Sequence, residues 1–291
     1  MNPMDAMTRR DAIKLASTSL AALSVTGPGP EYAFAQAKTK PAGDPWKGLK
    51  VGLTTYVFQR MSVDDAVKAT VRVGVKYVCI KNAKGHLPVE SATEQRQAVA
   101  QKFRDAGMTL MSCGNLDMKT EADVRPCFEY ARDLGVPTIV CTPDLKLLPL
   151  LDKTVKAFNI KLAIHNHGPG AVYPSPYDVW KAIASYDSRI GLCIDVGHTA
   201  RAGVDPVESI LKCKERLYDL HIKDIDSTAK EGRPVEVGRG VLDIKAICRA
   251  AIKIKFPHLF SFEYEKDLGD PLAGLAESVG YVKGVLAGMS D

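Results

Sequence analysis

The sequence predicts a single α/β domain, a (β/α)8 TIM barrel, because apolar and amphipathic segments alternate along most of the chain. From Trp46 onward, eight short apolar runs alternate with stretches of helical spacing. Eight strand-then-helix units fit a closed barrel better than a doubly wound open sheet. An open nucleotide-binding sheet would want a glycine-rich turn after its first strand, whereas residues 54–58 read Thr-Thr-Tyr-Val-Phe.

The strand candidates are the short apolar runs. They cover residues 50–56, 76–81, 109–115, 138–142, 161–167, 190–195, 217–223 and 259–265. Because side chains alternate along a strand, one face of each of the last four carries ionisable groups, which concentrate toward the C-terminal end. We expect helices to cover the opposite faces, which carry Leu162, Ile164, Leu192, Ile194, Leu220, Ile222, Phe260 and Phe262.

The helix candidates begin at recognisable capping residues. Capping boxes are predicted at 62–65 and 120–123, and a cap residue precedes a proline at Ser175-Pro176, Asp205-Pro206 and Asp270-Pro271. Two apolar stripes follow the capping boxes, each ending at a glycine. The first contains Val63, Ala66, Val67, Thr70 and Val71 and ends at Gly74, and the second contains Val124, Phe128, Ala131 and Leu134 and ends at Gly135.

Residues 1–37 are predicted to be a twin-arginine (Tat) signal peptide with its cleavage region, which leaves 38–291 as the barrel. Arg9 and Arg10 form the arginine pair, an apolar run covers 15–25, and Ala33-Phe-Ala35 is a small-x-small cleavage site. The apolar run is too short for a permanent membrane anchor. We therefore expect a periplasmic or other extracytoplasmic protein, exported already folded. The alternative is a cytosolic protein with an N-terminal amphipathic helix.

Composition and charge are those of an ordinary globular protein. The 291 residues are 46% hydrophobic and 25% charged, with a formal net charge of +5 and no block of basic residues, so a nucleic-acid partner is not expected. The seven cysteines are odd in number and include no C-x-x-C pair. Buried free thiols are therefore the better prediction.

Histidines mark the predicted active-site mouth. Five of the six fall at a strand's C-terminal end or in the loop after it: His86, His165, His167, His198 and His221. In a barrel these ends gather at one face, where active sites are built. The longest connection, 225–240, is predicted to be unstructured and to lie at the same face.

The predicted metal ligands are His165, Asp195, His221 and Glu263, one from each of four successive strands. A buried run such as 190–195 has little reason to end on a carboxylate unless a positive charge compensates it. Imidazole and carboxylate together suit Mn²⁺, Co²⁺, Fe²⁺ or Zn²⁺ better than Mg²⁺ or Ca²⁺. A single strand-end histidine is more often structural, but four convergent candidates favour a metal site.

Further residues are predicted to contact the substrate. His198 and Lys223 would donate hydrogen bonds to its oxygens. The other candidates are Lys81, His86, His167, Arg239 and Glu265. Some of these have alternatives: Lys81 and Arg239 are equally consistent with exposed surface residues, and Glu265 with an orienter of a ligand histidine.

Five motifs resemble the sugar phosphate isomerase/epimerase family of xylose isomerase-like barrels. They read LAIHNHG (162–168), GLCIDVGHTARAG (191–203), DLHIKD (219–224), GRGVLD (238–243) and FSFEYE (260–265). The resemblance implies metal ligands at Asp195, His221 and Glu263, with Glu263 also one of the two glutamates that move a proton in family epimerases. It therefore implies a metal-dependent isomerase or epimerase acting on a keto sugar or cyclitol.

The chain departs from the family at His165. Many members read Glu-Asn-His where this chain reads His165-Asn166-His167. The paired-glutamate device is then incomplete, and an ion with one fewer carboxylate ligand is more electrophilic. This favours, as an alternative, a dehydratase, another lyase or a hydrolase acting on an oxidised sugar.

Two other classes of protein remain as competing hypotheses. A DNA repair endonuclease of the related barrel family would need more ligands on the second and third strands, where residues 111–115 offer none. A non-catalytic sugar-binding barrel would not need an electrophilic metal. The expected partner is thus a small carbohydrate, with no membrane association after signal removal, and self-association of the chain stays open.

Overall fold

The structure is a closed barrel of eight parallel strands. The computed structural model describes residues 43–82 and 86–289. The strands in chain order are β1 (Lys50–Thr54), β2 (Tyr77–Ile80), β3 (Thr109–Met118), β4 (Thr138–Pro143), β5 (Lys161–His165), β6 (Ile190–Asp195), β7 (Leu217–Ile222), β8 (Asp224–Ile225), β9 (Pro234–Val235) and β10 (Leu259–Phe262). All but β8 and β9 belong to the barrel, which closes where β10 pairs with β1. The predicted fold class is confirmed, and the predicted signal peptide at 1–37 lies outside the described residues.

The helices surround this barrel. They are α1 (Val63–Val73), α2 (Thr93–Asp105), α3 (Glu121–Leu134), α4 (Leu148–Phe158), α5 (Pro176–Ile183), α6 (Val196–Arg201), α7 (Pro206–Lys212), α8 (Ile244–Lys253) and α9 (Leu272–Ala287). In the part of the chain that the structure describes, no helix is long and apolar enough to cross a membrane.

Several barrel strands end earlier than predicted because the chain leaves the hydrogen-bonded ladder at the mouth. β5 ends at His165, and the N–H of His167 donates to the carbonyl of Tyr173 instead of to a strand. β10 likewise ends at Phe262, so Glu263 and Glu265 lie just beyond it. β3 is longer than predicted and continues to Met118 after a register shift against β4.

Most of the predicted helix starts are confirmed. The side chains of Ser62, Ser175 and Asp205 accept backbone N–H groups at the starts of α1, α5 and α7, and Thr120 forms a capping box with Asp123. The prediction at Asp270-Pro271 is wrong. There Pro271 is the N-cap and has no side-chain hydrogen bond.

The apolar stripe predicted for α1 is partly wrong. Val71 is 54% exposed, and the buried face is formed by Ala66, Ala69, Thr70 and Val73. Small residues let α1 pack closely, which the valine spacing did not reveal. The second stripe, on α3, is buried as predicted.

Two apolar layers flank the strands. The large residues predicted on the outward faces of β5, β6, β7 and β10 belong to the main core between strands and helices. A smaller cluster includes Cys79, Val140, Ala163 and Cys193. All seven cysteines are buried and free, as predicted.

The connection 225–240 contains more structure than predicted. Ile225 pairs with Pro234 in the antiparallel hairpin β8–β9. The Asp224 carboxylate accepts backbone N–H groups from Gly238 and Gly240 at 2.9 and 3.0 Å. A Cβ atom at Gly240 would lie 2.1 Å from Asp224 Oδ1, so only glycine permits this close approach. Two-residue strands leave no alternation in the sequence to detect.

Candidate metal centre

Four side chains converge at the C-terminal ends of β5, β6, β7 and β10. One ligand atom from each lies within 4.8 Å of the others, and the residues are His165, Asp195, His221 and Glu263. The first three are almost completely buried, and the Glu263 side chain is 12% exposed. The structure thus brings together the four predicted ligands.

The spacing of these atoms suits one coordinated ion. His165 Nε2 lies 3.0 Å from His221 Nδ1, 3.7 Å from Asp195 Oδ2 and 3.6 Å from Glu263 Oε2. Ligands bound tetrahedrally at about 2.0–2.1 Å stand about 3.3–3.5 Å apart. Asp195 Oδ2 is also buried and accepts no hydrogen bond from the described residues, although Lys223 Nζ lies 3.1 Å away as an ion pair, so this oxygen keeps the capacity to bind a metal ion.

The pKa values of the candidate ligands are set by their burial and by the charged groups beside them. Burial and the neighbouring His167 hold the pKa of His165 well below its usual value, so this ring is neutral, as a metal ligand must be. Burial raises the pKa of Asp195 to about 7 although Lys223 opposes the shift. Burial would also raise the pKa of Glu263, but Lys223 and His221 hold it well below its usual range.

Lys223 is a buried cation at the edge of this group. Its Nζ lies 3.1 Å from Asp195 Oδ2 and 2.9 Å from both Glu263 Oε2 and Glu265 Oε2. Burial opposes the charge, but the three carboxylates hold the pKa of Lys223 well above its usual value. Three carboxylates against one ammonium leave a formal charge of −2. Burial opposes a charge on His221, but Glu263 and the other carboxylates raise its pKa to about 9, so a proton on this ring offsets part of that charge. A divalent ion would take the place of this proton.

His198 presents one defined ring nitrogen to the site. Arg201 lies three residues on in α6 and contacts its Nδ1, and guanidinium groups can only donate hydrogen bonds. The Lys223 ammonium at Nε2 is also a donor-only group, so both ring nitrogens face cations, and the ring's proton lies on whichever nitrogen is not accepting a hydrogen bond. Nε2 lies 3.2 Å from Lys223 Nζ and 4.0 Å from Asp195 Oδ2. Burial and Lys223 keep the pKa of His198 well below its usual value, so the ring is neutral.

Several positioning residues were not recognised from the sequence. Asn166 accepts the backbone N–H of Asp195 at 3.1 Å and donates to Thr199 Oγ1 at 3.1 Å, which fixes the end of β6. Asp219 Oδ1 lies 3.8 Å from His221 Nε2, while its other oxygen accepts a hydrogen bond from Ser112. The i, i+2 spacing of Asp219 and His221 on one face was the available signal for this pair.

His167 links the centre to β3 and β4. Its Nδ1 lies 3.3 Å from His165 Nδ1 and its Nε2 lies 3.4 Å from Asn115 Nδ2. The Asn115 side chain also donates to Thr142 Oγ1, and the backbone carbonyl of Asn115 accepts a hydrogen bond from Lys81 Nζ at 3.2 Å. A continuous polar path therefore runs from His165 to Lys81.

Two other predicted substrate contacts have partners of their own. His86 is buried, and its Nε2 lies 2.7 Å from the carbonyl oxygen of Met61. Arg239 has an exposed side chain that pairs with Glu277 at 2.8 Å. Neither residue contacts the four-ligand group, and the structure gives neither a role at it.

Comparisons with known proteins agree on the fold. A family model described as a xylose isomerase-like TIM barrel matches residues 58–285. The rhizopine catabolism protein MocC of Rhizobium meliloti is 31% identical over 80 residues, which are 28% of this chain and only 24% of that protein.

Two solved structures are similar along most of the chain. E. coli YcjR, a 3-keto-D-glucoside 4-epimerase, has a TM-score of 0.67 at 12% identity, covering 81% of this chain and 99% of its own. An IolI protein with a bound zinc atom has a TM-score of 0.67 at 16% identity, covering 82% and 98% of the two chains. At these identities the likeness shows the fold alone.

Proposed function

The chain belongs to the xylose isomerase-like TIM barrel family, and we propose that it is a divalent-metal-dependent enzyme that acts on a keto sugar or keto cyclitol. The proposed reaction moves a proton at the carbon next to the carbonyl, as in isomerisation or epimerisation. One observation carries this proposal. It is the convergence of four ligand atoms, from His165, Asp195, His221 and Glu263.

The donor set indicates the kind of ion. Two imidazoles and two carboxylates suit Zn²⁺, Mn²⁺, Fe²⁺ or Co²⁺ rather than the all-oxygen shells of Mg²⁺ and Ca²⁺. When bound, such an ion supplies a Lewis acid that polarises a carbonyl and stabilises negative charge on its oxygen.

Glu263 is the group that we propose to move the proton. Its carboxylate is ionised, because Lys223 and His221 hold its pKa low, and it is the least buried of the four ligands. A carboxylate beside an activated C–H group can act as a general base.

Lys223 and His198 would hold the substrate oxygens. The Lys223 ammonium is a donor that lies 3.2 Å from His198 Nε2. When this ammonium turns to a substrate oxygen, Nε2 can carry the ring's proton and donate as well, because Arg201 donates to Nδ1. Fixed donors aimed at an oxygen that gains negative charge lower the barrier without reorganisation. Glu265, 2.9 Å from Lys223, would keep that ammonium in place.

The residue at position 165 supports elimination as a second candidate reaction. A glutamate there would offer a second base, whereas His165 is buried and neutral, and His167 and His221 already face its two nitrogens. One base can remove a proton beside the ketone. The hydroxyl on the next carbon would then leave as water with the proton that Glu263 has taken up, the C–O bond breaking as the C=C bond forms, which would make the protein a dehydratase.

The test combines metal analysis with proton exchange. We expect about one divalent ion per chain, and deuterium incorporated next to the carbonyl when keto sugars are incubated with the protein in D₂O. His221→Ala should lose the ion, whereas Glu263→Gln should lose exchange and bind the ion more weakly. Glu208→Gln on exposed α7 is the matched control and should change neither property.

Each outcome has a distinct meaning. A folded protein that stays metal-free in excess Mn²⁺ or Zn²⁺ would refute the metal-dependent proposal. A metal-loaded protein that exchanges no proton across a broad panel of ketoses and keto cyclitols would favour a binding protein or a hydrolase. Exchange with release of water would identify a dehydratase.

A further inference from the structure

A cavity of about 590 Å³ lies beside the candidate centre. It is lined by residues that follow β2, by residues in the C-terminal half of β3, by the segment before α2 and by the first turns of α2 and α3. The lining residues used below are Lys81, Glu90, Arg96, Asn115, Asp117 and Ala122. Ligand cavities commonly measure about 300–1,000 Å³, so this one could hold a unit of the size of a sugar ring.

The cavity is joined to the candidate centre by direct contacts. Asn115 and Lys81 both line it, and they are the last two members of the polar path that begins at His165. Asn115 Nδ2 is 3.4 Å from His167 Nε2, which places the cavity one side chain from the candidate ligands. A substrate bound at the centre would have to reach past the single side chain of His167 to occupy this space.

The charges of the lining select against an anion. Glu90 and Asp117 are exposed carboxylates, and Asp123 adds a third. Two of the described lining residues are cations, and of these Arg96 is already paired with Asp133 at 2.7 Å and donates to the carbonyl of Val89 at 2.6 Å. Among the described lining residues, Lys81 is then the one cation that no carboxylate pairs with, so a phosphate group would meet net repulsion from the carboxylates.

The same groups suit hydroxyl groups. Carboxylates accept hydrogen bonds from sugar hydroxyls, while the Asn115 amide and the Lys81 ammonium can donate to them. The cavity wall thus offers both hydrogen-bond donors and hydrogen-bond acceptors. Such a wall favours an uncharged ligand with many hydroxyl groups over an apolar ligand.

We propose that this cavity binds a second, uncharged sugar unit, so that the substrate is a keto glycoside and not a phosphorylated monosaccharide. This inference rests on the proposed function, which states that the ring bound at the metal centre is a keto sugar. The binding of the second ring, however, is a property of the cavity and can be measured without turnover.

The binding experiment uses unoxidised sugars and the metal-loaded protein. Cellobiose, maltose and sucrose are titrated calorimetrically beside glucose and glucose 6-phosphate. We expect at least one disaccharide to bind about tenfold or more tightly than glucose, and the phosphate to bind no better than glucose. Ala122→Trp, which fills the cavity from an exposed position, should abolish the difference, and exposed Asp105→Asn on α2 should preserve it.

The kinetic experiment uses the same sugars oxidised to ketones in one ring. The ratio of kcat/KM for the keto disaccharide to that for the keto monosaccharide should exceed ten and should fall at least fivefold in Ala122→Trp and in Asp117→Ala. Equal ratios in wild type and Ala122→Trp, or a preference for the phosphorylated ketose, would overturn the proposal. If disaccharides bind in the cavity but no ketose reacts, the proposed function fails while the binding site stands.

Discussion

Asp195 combines two tasks that usually fall to different residues. As the N-cap of α6 its Oδ1 accepts the N–H of His198 at 2.8 Å, while its Oδ2 faces the other ligands. The helix start therefore fixes the direction of the second oxygen. The sequence indicated the need for a compensating charge at Asp195, but the capping contact depends on the turn after the strand and was not predicted.

Arg201 gives a prediction about the protonation of His198. Arg201→Met should leave Nδ1 without its donor, so that Nε2 accepts a hydrogen bond from Lys223 and the proton of the neutral ring moves to Nδ1, where it cannot be donated to the substrate. Nitrogen-15 NMR of the labelled ring should show the change directly, together with a lower kcat. Arg201→Lys retains a donor and should recover part of both properties. An unchanged ring spectrum in Arg201→Met would contradict the assignment.

His258 gives a prediction about pH and stability. Burial, with the positive charges of Lys161 and Lys50, lowers the pKa of His258 to about 4, and its ring packs edge-on against Tyr218. The unfolded chain binds a proton near pH 6.5. Between pH 6.5 and 4 it therefore binds more protons at this residue than the folded chain, and stability falls as the pH falls.

The measurement is the free energy of unfolding in urea with chelator at pH 7.5 and 5.5. His258→Asn should lose less stability between the two pH values than wild type does. The other histidines are the same in both proteins, so their contributions cancel. A wild-type loss equal to that of His258→Asn would show that His258 does not titrate in this way.

At the scale of elements, the strands were more predictable than their ends. Alternation along 190–195 and 217–223 placed Asp195 and His221 on one face, and the closed barrel brings those faces together. The hairpin β8–β9 and the path from His167 through Asn115 depend on contacts between residues distant in sequence. Local patterns carry no information about such contacts.

The loop after the hairpin gives a prediction about Gly240, and Gly280 in α9 serves as its comparison. Gly240→Ala should destabilise the protein by about 1–3 kcal/mol, because the new Cβ would collide with the Asp224 carboxylate. Gly280 is an exposed position in α9 where a new Cβ would meet nothing within 4 Å, so Gly280→Ala should stabilise the protein by about 0.5–1 kcal/mol. Urea unfolding of both variants checks the pair. Equal effects at the two positions would show that the Asp224 contact does not constrain the loop.

At the scale of the whole molecule, the residues that form the apolar core and the candidate ligands lie in different parts of the barrel. The apolar faces of the strands pack against helices, while the candidate ligands lie at one end of four strands. The sequence sufficed for the fold and for the convergence of the four candidate ligands, because both follow from periodicity and chain order. The substrate contacts of His86 and Arg239 stay predictions, and they rested on position near the mouth and not on spacing within a strand.

The whole chain also carries a prediction about export. We propose that residues 1–37 direct the folded protein across a bacterial membrane through the twin-arginine route. A folded fluorescent reporter fused after residue 37 should reach the periplasm, and replacing Arg9 and Arg10 together by lysine should retain it inside. Asp5→Asn is the control. A reporter that stays cytoplasmic with the intact segment would refute the proposal.

The seven buried cysteines bear on that route. Burial raises the pKa of every one of these thiols, and even Cys213, the least shifted of those with a value, reaches about 11. Oxidation requires the thiolate, so we expect the buried thiols of the folded barrel to react slowly with the disulfide-forming enzymes that an exported protein would meet. A chain threaded through a membrane unfolded would present seven reactive thiols, one of which could never pair within the molecule. Folding before export would remove that hazard without any disulfide bond.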